Sequence, residues 1–262
     1  MRLLCIGDVV GGAGRRVVSS LLPRLVREHG VDLVVANGEN LAGGVGVTAA
    51  TAEEMFAAGV GVVTGGNHTW KHKEALAALD REPRLVRPYN YPAGAPGRGL
   101  TVVETPRGPV AVLNLIGRVF MDPVDCPFVA ADRALDELGT RAKVVVVDMH
   151  CEATSEKRAM GWHLAGRASV VYGTHTHVPT ADEEVLAGGT AYVTDLGMTG
   201  PYDSVIGTRK EQVLQRFLSM RPVGFDTAKG DLQLRALLVD VDEVTGRASG
   251  AERLKVPLPE GT

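Results

Sequence analysis

His175 and His177 stand one threonine apart in VYGTHTHVPT, where a β-branched run stops at Gly173 and Pro179 keeps a helix from starting. Imidazoles suit proton transfer or metal ligation, but a lone pair of histidines can equally sit on a surface or in a satisfied core. Other strand ends decide between these. IGDVVGG supplies Asp8, ANGEN supplies Glu39 and Asn40, TGGNHTW supplies Asn67 and His68, and VVDMH supplies His150. Singly, Asp8 reads as a helix cap, Glu39 as a solvated acid, Asn67 as a turn residue and His150 as a core histidine.

Together they share one chemistry. Carboxylate, amide oxygen and neutral imidazole suit Mn, Fe or Zn, and the imidazoles argue against a dedicated Ca or Mg cage. A single catalytic zinc needs only about three protein ligands and a water, so the surplus points to two metals. Gly7, Gly38, Gly66 and Gly173 flank the candidates, which predicts sharp backbone turns and little bulk at the centre.

The elements that must carry these residues are legible as alternating apolar runs and helical patterns, as in parallel strands joined by crossover helices. Strands are predicted at RLLCIG, DLVVAN, VGVVTG, VAVLNLIG, KVVVVDMH, SVVYG, AYVTDLG and RALLVDVD. TAATAEEMFAAG reads as a helix opened by a Thr51–Glu54 capping box and closed at Gly59, and TSEKRAMGWHLAG and RKEQVLQRFLSM have helix-compatible apolar spacing. Residues 80–100, rich in Pro and Gly, read as a structured loop. In open α/β sheets, ligands bind at the carboxyl ends of the strands, so scattered strand-end residues can converge there.

Composition agrees with a single α/β domain over residues 1–262: 45% of residues are hydrophobic, 5% are aromatic, and the 32 glycines match the 31 acidic residues. A net charge of −3 offers no polybasic stripe for stable nucleic-acid or membrane binding. Asp8 interrupts the first apolar run before a signal-peptide core forms, and no run approaches membrane-spanning length. A cytoplasmic protein is expected. Cys5, Cys126 and Cys151 are odd in number and widely spaced, which suits a reducing compartment.

The motifs resemble the calcineurin-like metallophosphoesterases, through GD near the start, GNH after a middle strand, a lone strand-end histidine and a final G-x-H-x-H. More specifically, IGDVVG, ANGENLAGG, TGGNHTW, HCEATSEK, GTHTHVPTAD and TDLGMTGPYDSVIG, spanning residues 6–207, are similar to the YmdB-type 2′,3′-cyclic-nucleotide phosphodiesterases. The wider superfamily's Asp-x-His opening is absent, because Val9 and Val10 follow Asp8, and Gly38-Glu39-Asn40 replaces its G-D-x-x-D segment.

The resemblance implies a layered β-sandwich flanked by helices. It implies that Asp8, Glu39, Asn40 and His177 hold one metal and Glu39, Asn67, His150 and His175 the other, with Glu39 bridging. The metals would be two divalent or mixed-valence ions, Fe or Mn, lying about 3.5–4 Å apart around a bridging hydroxide nucleophile. Thr176 would turn away between the two histidines. His68 would stay uncoordinated and protonate the departing oxygen. Cys151 stands where relatives are expected to carry alanine, and a thiol there would expose an iron-loaded site to oxidation. The expected partner is a small phosphodiester such as 2′,3′-cyclic AMP, and a homo-oligomer is expected.

Of the remaining histidines among the seven, His29 is assigned to a helix end, and His72 and His163 to helical segments outside the site. A dinucleotide-binding oxidoreductase is disfavoured, because GDVVGGAG misses the G-x-G-x-x-G spacing and leaves GNH and GTHTH idle. A non-catalytic nucleotide sensor, or a phosphomonoesterase or nuclease on the same site, stays open at the level of sequence.

Overall fold

The computed structural model describes residues 1–259. The first half runs β1 (Arg2–Ile6), β2 (Asp8–Val9), α1 (Gly11–His29), β3 (Leu33–Asn37), α2 (Ala49–Ala57), β4 (Val62–Thr64), α3 (Glu74–Arg81), β5 (Leu85–Val86), β6 (Leu100–Thr105) and β7 (Gly108–Ile116). The second half continues α4 (Pro127–Leu138), β8 (Val144–His150), α5 (Thr154–His163), β9 (Val170–Thr174), β10 (Glu184–Leu186), β11 (Thr190–Val193), β12 (Met198–Pro201), α6 (Lys210–Ser219), β13 (Leu232–Val241) and β14 (Ala248–Pro257).

Two sheets result, one in the order β2-β12-β13-β1-β3-β4-β5 with β14 on β13, the other β10-β11-β9-β8-β7-β6. The expected parallel pairing holds at the centres, β1 with β3, β3 with β4, β7 with β8 and β8 with β9. Antiparallel pairs frame it, because hairpins such as β6–β7 and β13–β14 need only a short turn.

The apolar runs look continuous because both strand faces are buried. Leu3, Cys5, Val144 and Val146 pack between the sheets. Their neighbours point the other way: Leu4 and Ile6 share a core with Val17, Val18 and Leu22 of α1, and Val145 and Val147 share one with Ala131 and Ala134 of α4. Truncating Leu4 to Ala would cost about 2–5 kcal/mol.

Several local expectations are corrected. The capping box of α2 is formed by Thr48 and Thr51, each accepting from the other's backbone N–H, while Glu54 instead pairs with Arg15. The expected AYVTDLG strand ends at Val193, because Thr194 and Asp195 turn into side-chain hydrogen bonds. Residues 80–100 contain the end of α3 and the short strand β5, and the rest is pinned by buried Arg87, which donates to the carbonyls of Pro88, Tyr89 and Pro96. No described helix is long and apolar enough to cross a membrane.

Candidate metal centre

β1, β3 and β4 run parallel in one sheet and β8 and β9 run parallel in the other, so their carboxyl ends meet along one edge of the sandwich. Asp8, Glu39 and Asn40, Asn67 and His68, His150, and the His175–His177 turn all follow or end these strands. The donor atoms of Glu39, His150 and His175 lie within 4.8 Å of one another, as do those of Asp8, Glu39 and His177. Glu39 belongs to both groups. Asn67 joins the first, its Oδ1 2.9 Å from His150 Nε2, and Asn40 lies beside the second, its Nδ2 3.0 Å from His177 Nε2.

These contacts suit divalent cations better than hydrogen bonds. His150 Nε2 faces Asn67 Oδ1 at 2.9 Å, Glu39 Oε2 at 3.1 Å and His175 Nδ1 at 3.1 Å. One ring nitrogen carries at most one proton, too few for the Asn67 and Glu39 oxygens together. The carboxylates of Asp8 and Glu39 are buried, and their ion-pair partners are histidines rather than Lys or Arg. Buried carboxylates beside neutral imidazole lone pairs are what a divalent metal requires.

The electrostatics follow from this crowding. Burial pushes Asp8 up to about 6, against the pull of His177 and His150. Burial also disfavours charge on Glu39, but His150 and His68 outweigh it and hold that carboxyl well below its usual range. In His150, burial lowers the imidazolium pKa, yet Glu39 and Asp8 raise it to about 9. His175 is driven down to about 3 by burial and by His150, so it is neutral.

The turn that presents the two histidines is strained, with φ of 97° at His175 and 65° at His177. Thr176 between them does point away, donating to Asp195 Oδ2 at 2.7 Å. Asp195 also pairs with buried Lys157 at 2.6 Å and accepts from the Gly197 N–H at 2.7 Å. His177 Nδ1 lies 2.8 Å from the Ile206 carbonyl, and His175 Nε2 lies 3.1 Å from Glu152 Oε2. Each ring thereby keeps its other nitrogen for the centre.

Sequence reasoning missed this supporting layer. Asp148 is fully buried and accepts from Thr174 Oγ1 at 2.7 Å and from Asn37 Nδ2 at 2.9 Å. Asn37 Oδ1 in turn holds the backbone N–H of Glu39 at 3.1 Å. An acid inside the valine run VVVVDMH was the available signal, since a carboxylate is seldom placed in a core strand without a partner. Asp195, Lys157 and Glu152 gave no comparable signal.

His68 sits at the edge of the donor set. Its Nδ1 is 3.2 Å from Asn40 Oδ1 and its backbone N–H donates to Glu39 Oε2 at 3.1 Å. With His175, His177 and Glu39 it lines a cleft of about 530 Å³.

Of the two roles expected of the flanking glycines, the structure shows the lack of bulk but no left-handed turn. Gly7, Gly38, Gly66 and Gly173 are absent from the positive-φ residues, so they serve close approach and not sharp turning. A Cβ on Gly66 would lie 2.2 Å from Glu39 Oε2 and 2.4 Å from His150 Nε2. The Cys151 thiol points away from the donors, 3.1 Å from Glu156 Oε2, and burial pushes its pKa up. It is held protonated, whereas the thiolate is the oxidation-prone form. His29 does end α1, and His163 ends α5 beside Asp132. His72 lies before α3 rather than in a helix, its Nε2 2.9 Å from the Val45 carbonyl.

Known proteins resemble the chain over nearly its whole length. A Bacillus subtilis protein named 2′,3′-cyclic-nucleotide 2′-phosphodiesterase is 45% identical over 256 residues, covering 98% of this chain and 97% of that protein. Among solved structures, a hypothetical protein from Thermus thermophilus matches with a TM-score of 0.93 at 45% identity, covering 99% of this chain and 100% of its own. A structure described as a novel phosphatase from Mycoplasma pneumoniae matches with a TM-score of 0.92 at 33% identity, covering 98% and 93%. The two-sheet sandwich with helices on both faces is thus a metallophosphoesterase fold. A family model described as YmdB-like protein matches residues 4–254, a span that contains every strand-end donor from Asp8 to His177, and the chain belongs to that family.

Proposed function

We infer that the protein is a metal-dependent phosphodiesterase acting on small cyclic nucleotides, with 2′,3′-cyclic AMP as the representative substrate. The observation that carries this reading is the pair of donor groups sharing Glu39. Asp8, Glu39, Asn40 and His177 would hold one ion, and Glu39, Asn67, His150 and His175 the other. The imidazole, carboxylate and amide donors favour Fe or Mn. Bound there, such a pair supplies Lewis acidity toward phosphate oxygens and lowers the pKa of water.

The remaining tasks fall to the chain itself. His68 faces the cleft with its Nδ1 tethered to Asn40, which leaves Nε2 to hold a proton for the departing ribose oxygen. The buried carboxylates and their histidine partners fix the geometry of the centre. The relative's name supports a diester with a cyclic 2′,3′ linkage.

The test is a substrate panel with metal-defined enzyme, comparing 2′,3′-cyclic nucleotides, 3′,5′-cyclic nucleotides, nucleoside monophosphates and short RNA. Faster turnover of the 2′,3′-cyclic diesters, lost on chelation and restored by Mn, is the expected result. Full metal occupancy without turnover on any diester overturns it in favour of a non-catalytic sensor.

A further inference from the structure

Phe225 is the only phenylalanine, tyrosine or tryptophan among the described residues lining the cleft that holds His68, His175 and His177, and it is 52% exposed there. Aromatic residues make up only 5% of the sequence, and a half-open phenyl ring in a cleft wall leaves apolar area in water unless a ligand covers it. Val178 and Ile206, 56% and 54% exposed, line the same cleft. The cleft therefore combines the polar donor set with an apolar lining that includes one aromatic ring.

The ring is carried on a fixed arch. Asp226, its neighbour, accepts from the Arg209 N–H at 3.0 Å through its carbonyl, receives Gln212 Nε2 at 2.7 Å on its carboxylate, and donates its own N–H to Gln212 Oε1 at 2.8 Å. Ala228 N–H donates to the Gly207 carbonyl at 2.8 Å, and Ile206 in the same strip holds His177 Nδ1. Thr227 reaches across to the Gly43 carbonyl. The Arg216 guanidinium lies over the ring, 6.0 Å from its centroid. The ring and His177 are thus tied through two backbone strips joined by the Ala228–Gly207 hydrogen bond, and small-molecule sites of about 300–1,000 Å³ are the size of this cleft.

We propose that Phe225 is the nucleobase platform of the cleft, so that substrate is gripped at two ends, the phosphodiester by the donor set and the base by stacking on the phenyl ring. This rests on the phosphodiesterase reading and names the substrate class within it: nucleoside cyclic phosphates, purines ahead of pyrimidines because stacking grows with ring area, and base-free sugar phosphates last. Base–aromatic stacking tolerates any base, since each has a π-face.

The experiment compares the metal-loaded wild type with Phe225→Ala and Phe225→Trp on 2′,3′-cyclic AMP and on methyl riboside 2,3-cyclic phosphate, which lacks the base. Phe225→Ala should raise KM for the nucleotide about tenfold with kcat within about twofold, leave the base-free ester unchanged, and be rescued by Phe225→Trp. Titration of 3′-AMP reads the same subsite without turnover, and its affinity should fall about tenfold in Phe225→Ala. Equal effects on both esters, or unchanged 3′-AMP affinity, overturn the platform. A change in sedimenting mass with unchanged KM would make the ring a contact between copies and also overturn it. If the wild type turns over neither ester yet binds 3′-AMP in a Phe225-dependent way, the phosphodiesterase reading fails and the platform stands.

Discussion

His150 Nδ1 lies 2.9 Å from Thr174 Oγ1, and that hydroxyl donates onward to Asp148 Oδ1 at 2.7 Å. The relay joins β8 to β9 and leaves His150 Nε2 facing Asn67, Glu39 and His175. Partners of this kind around a ligating histidine typically matter by about 10- to 100-fold in metal affinity. Thr174→Val and Asp148→Asn should therefore weaken Mn binding by about that factor, with Thr174→Ser close to wild type. Competition against a calibrated chelator measures it, and wild-type affinity in Thr174→Val would rule the relay out.

Glu39 is the one residue common to both donor groups. Elemental analysis of Mn- or Fe-loaded protein should approach two ions per chain. His175→Ala should empty mainly one position and Glu39→Ala both. A clean value of one ion with full activity would remove the paired centre. Chelation should abolish turnover and Mn should restore it.

His68 contacts the donor set from outside, so His68→Ala should keep its metals and lose turnover. General-acid help is worth about a hundred- to ten-thousandfold and matters when the leaving group is poor. The loss should be far larger on 2′,3′-cyclic AMP than on bis(p-nitrophenyl) phosphate, whose nitrophenolate leaves unaided. His177→Ala should be slow on both. Equal losses in a fully metallated His68→Ala would remove the acid role, and a metal-depleted variant would make His68 a ligand.

The pairing of Glu39 with His150 sets a pH slope for the metal-free protein. The folded pKa of His150 is raised from 6.5 to about 9, so its stabilisation is complete below 6.5 and is lost as pH climbs through about 9. Asp8, raised from 3.8 to about 6, adds the same sign at lower pH, because the folded state holds its proton longer. The Tm of chelated protein should fall from pH 6.5 to 9. Mn-loaded protein should lose that fall, since a ligating imidazole has already released its proton. A chelated Tm that rises across that window would contradict the pairing.

Much of the site was legible because metal ligation needs particular residue types, and strand ends place them in reach of one another. Asp8, Glu39, Asn40, Asn67, His150, His175 and His177 were identifiable from type and position, and the structure brings all seven to one edge. The Thr48 cap was missed because Thr48, Thr51 and Glu54 fit overlapping boxes, and only backbone geometry selects one. β6, β10, β12 and β14 were missed for a related reason: their residues alternate or are short, and partner strands decide their state.

The sequence by itself determined the chemistry of the centre, because donor types and strand-end glycines are local properties. Only the tertiary structure decided which ring nitrogen of each histidine faces inward, that Asp148, Thr174 and Asn37 hold β8, β9 and β3 in register behind the ligands, and that Phe225 shares their cleft. Those relations join residues far apart in the chain, so they are set by sheet order and by loops clamped through hydrogen bonds, which no local pattern of side chains encodes.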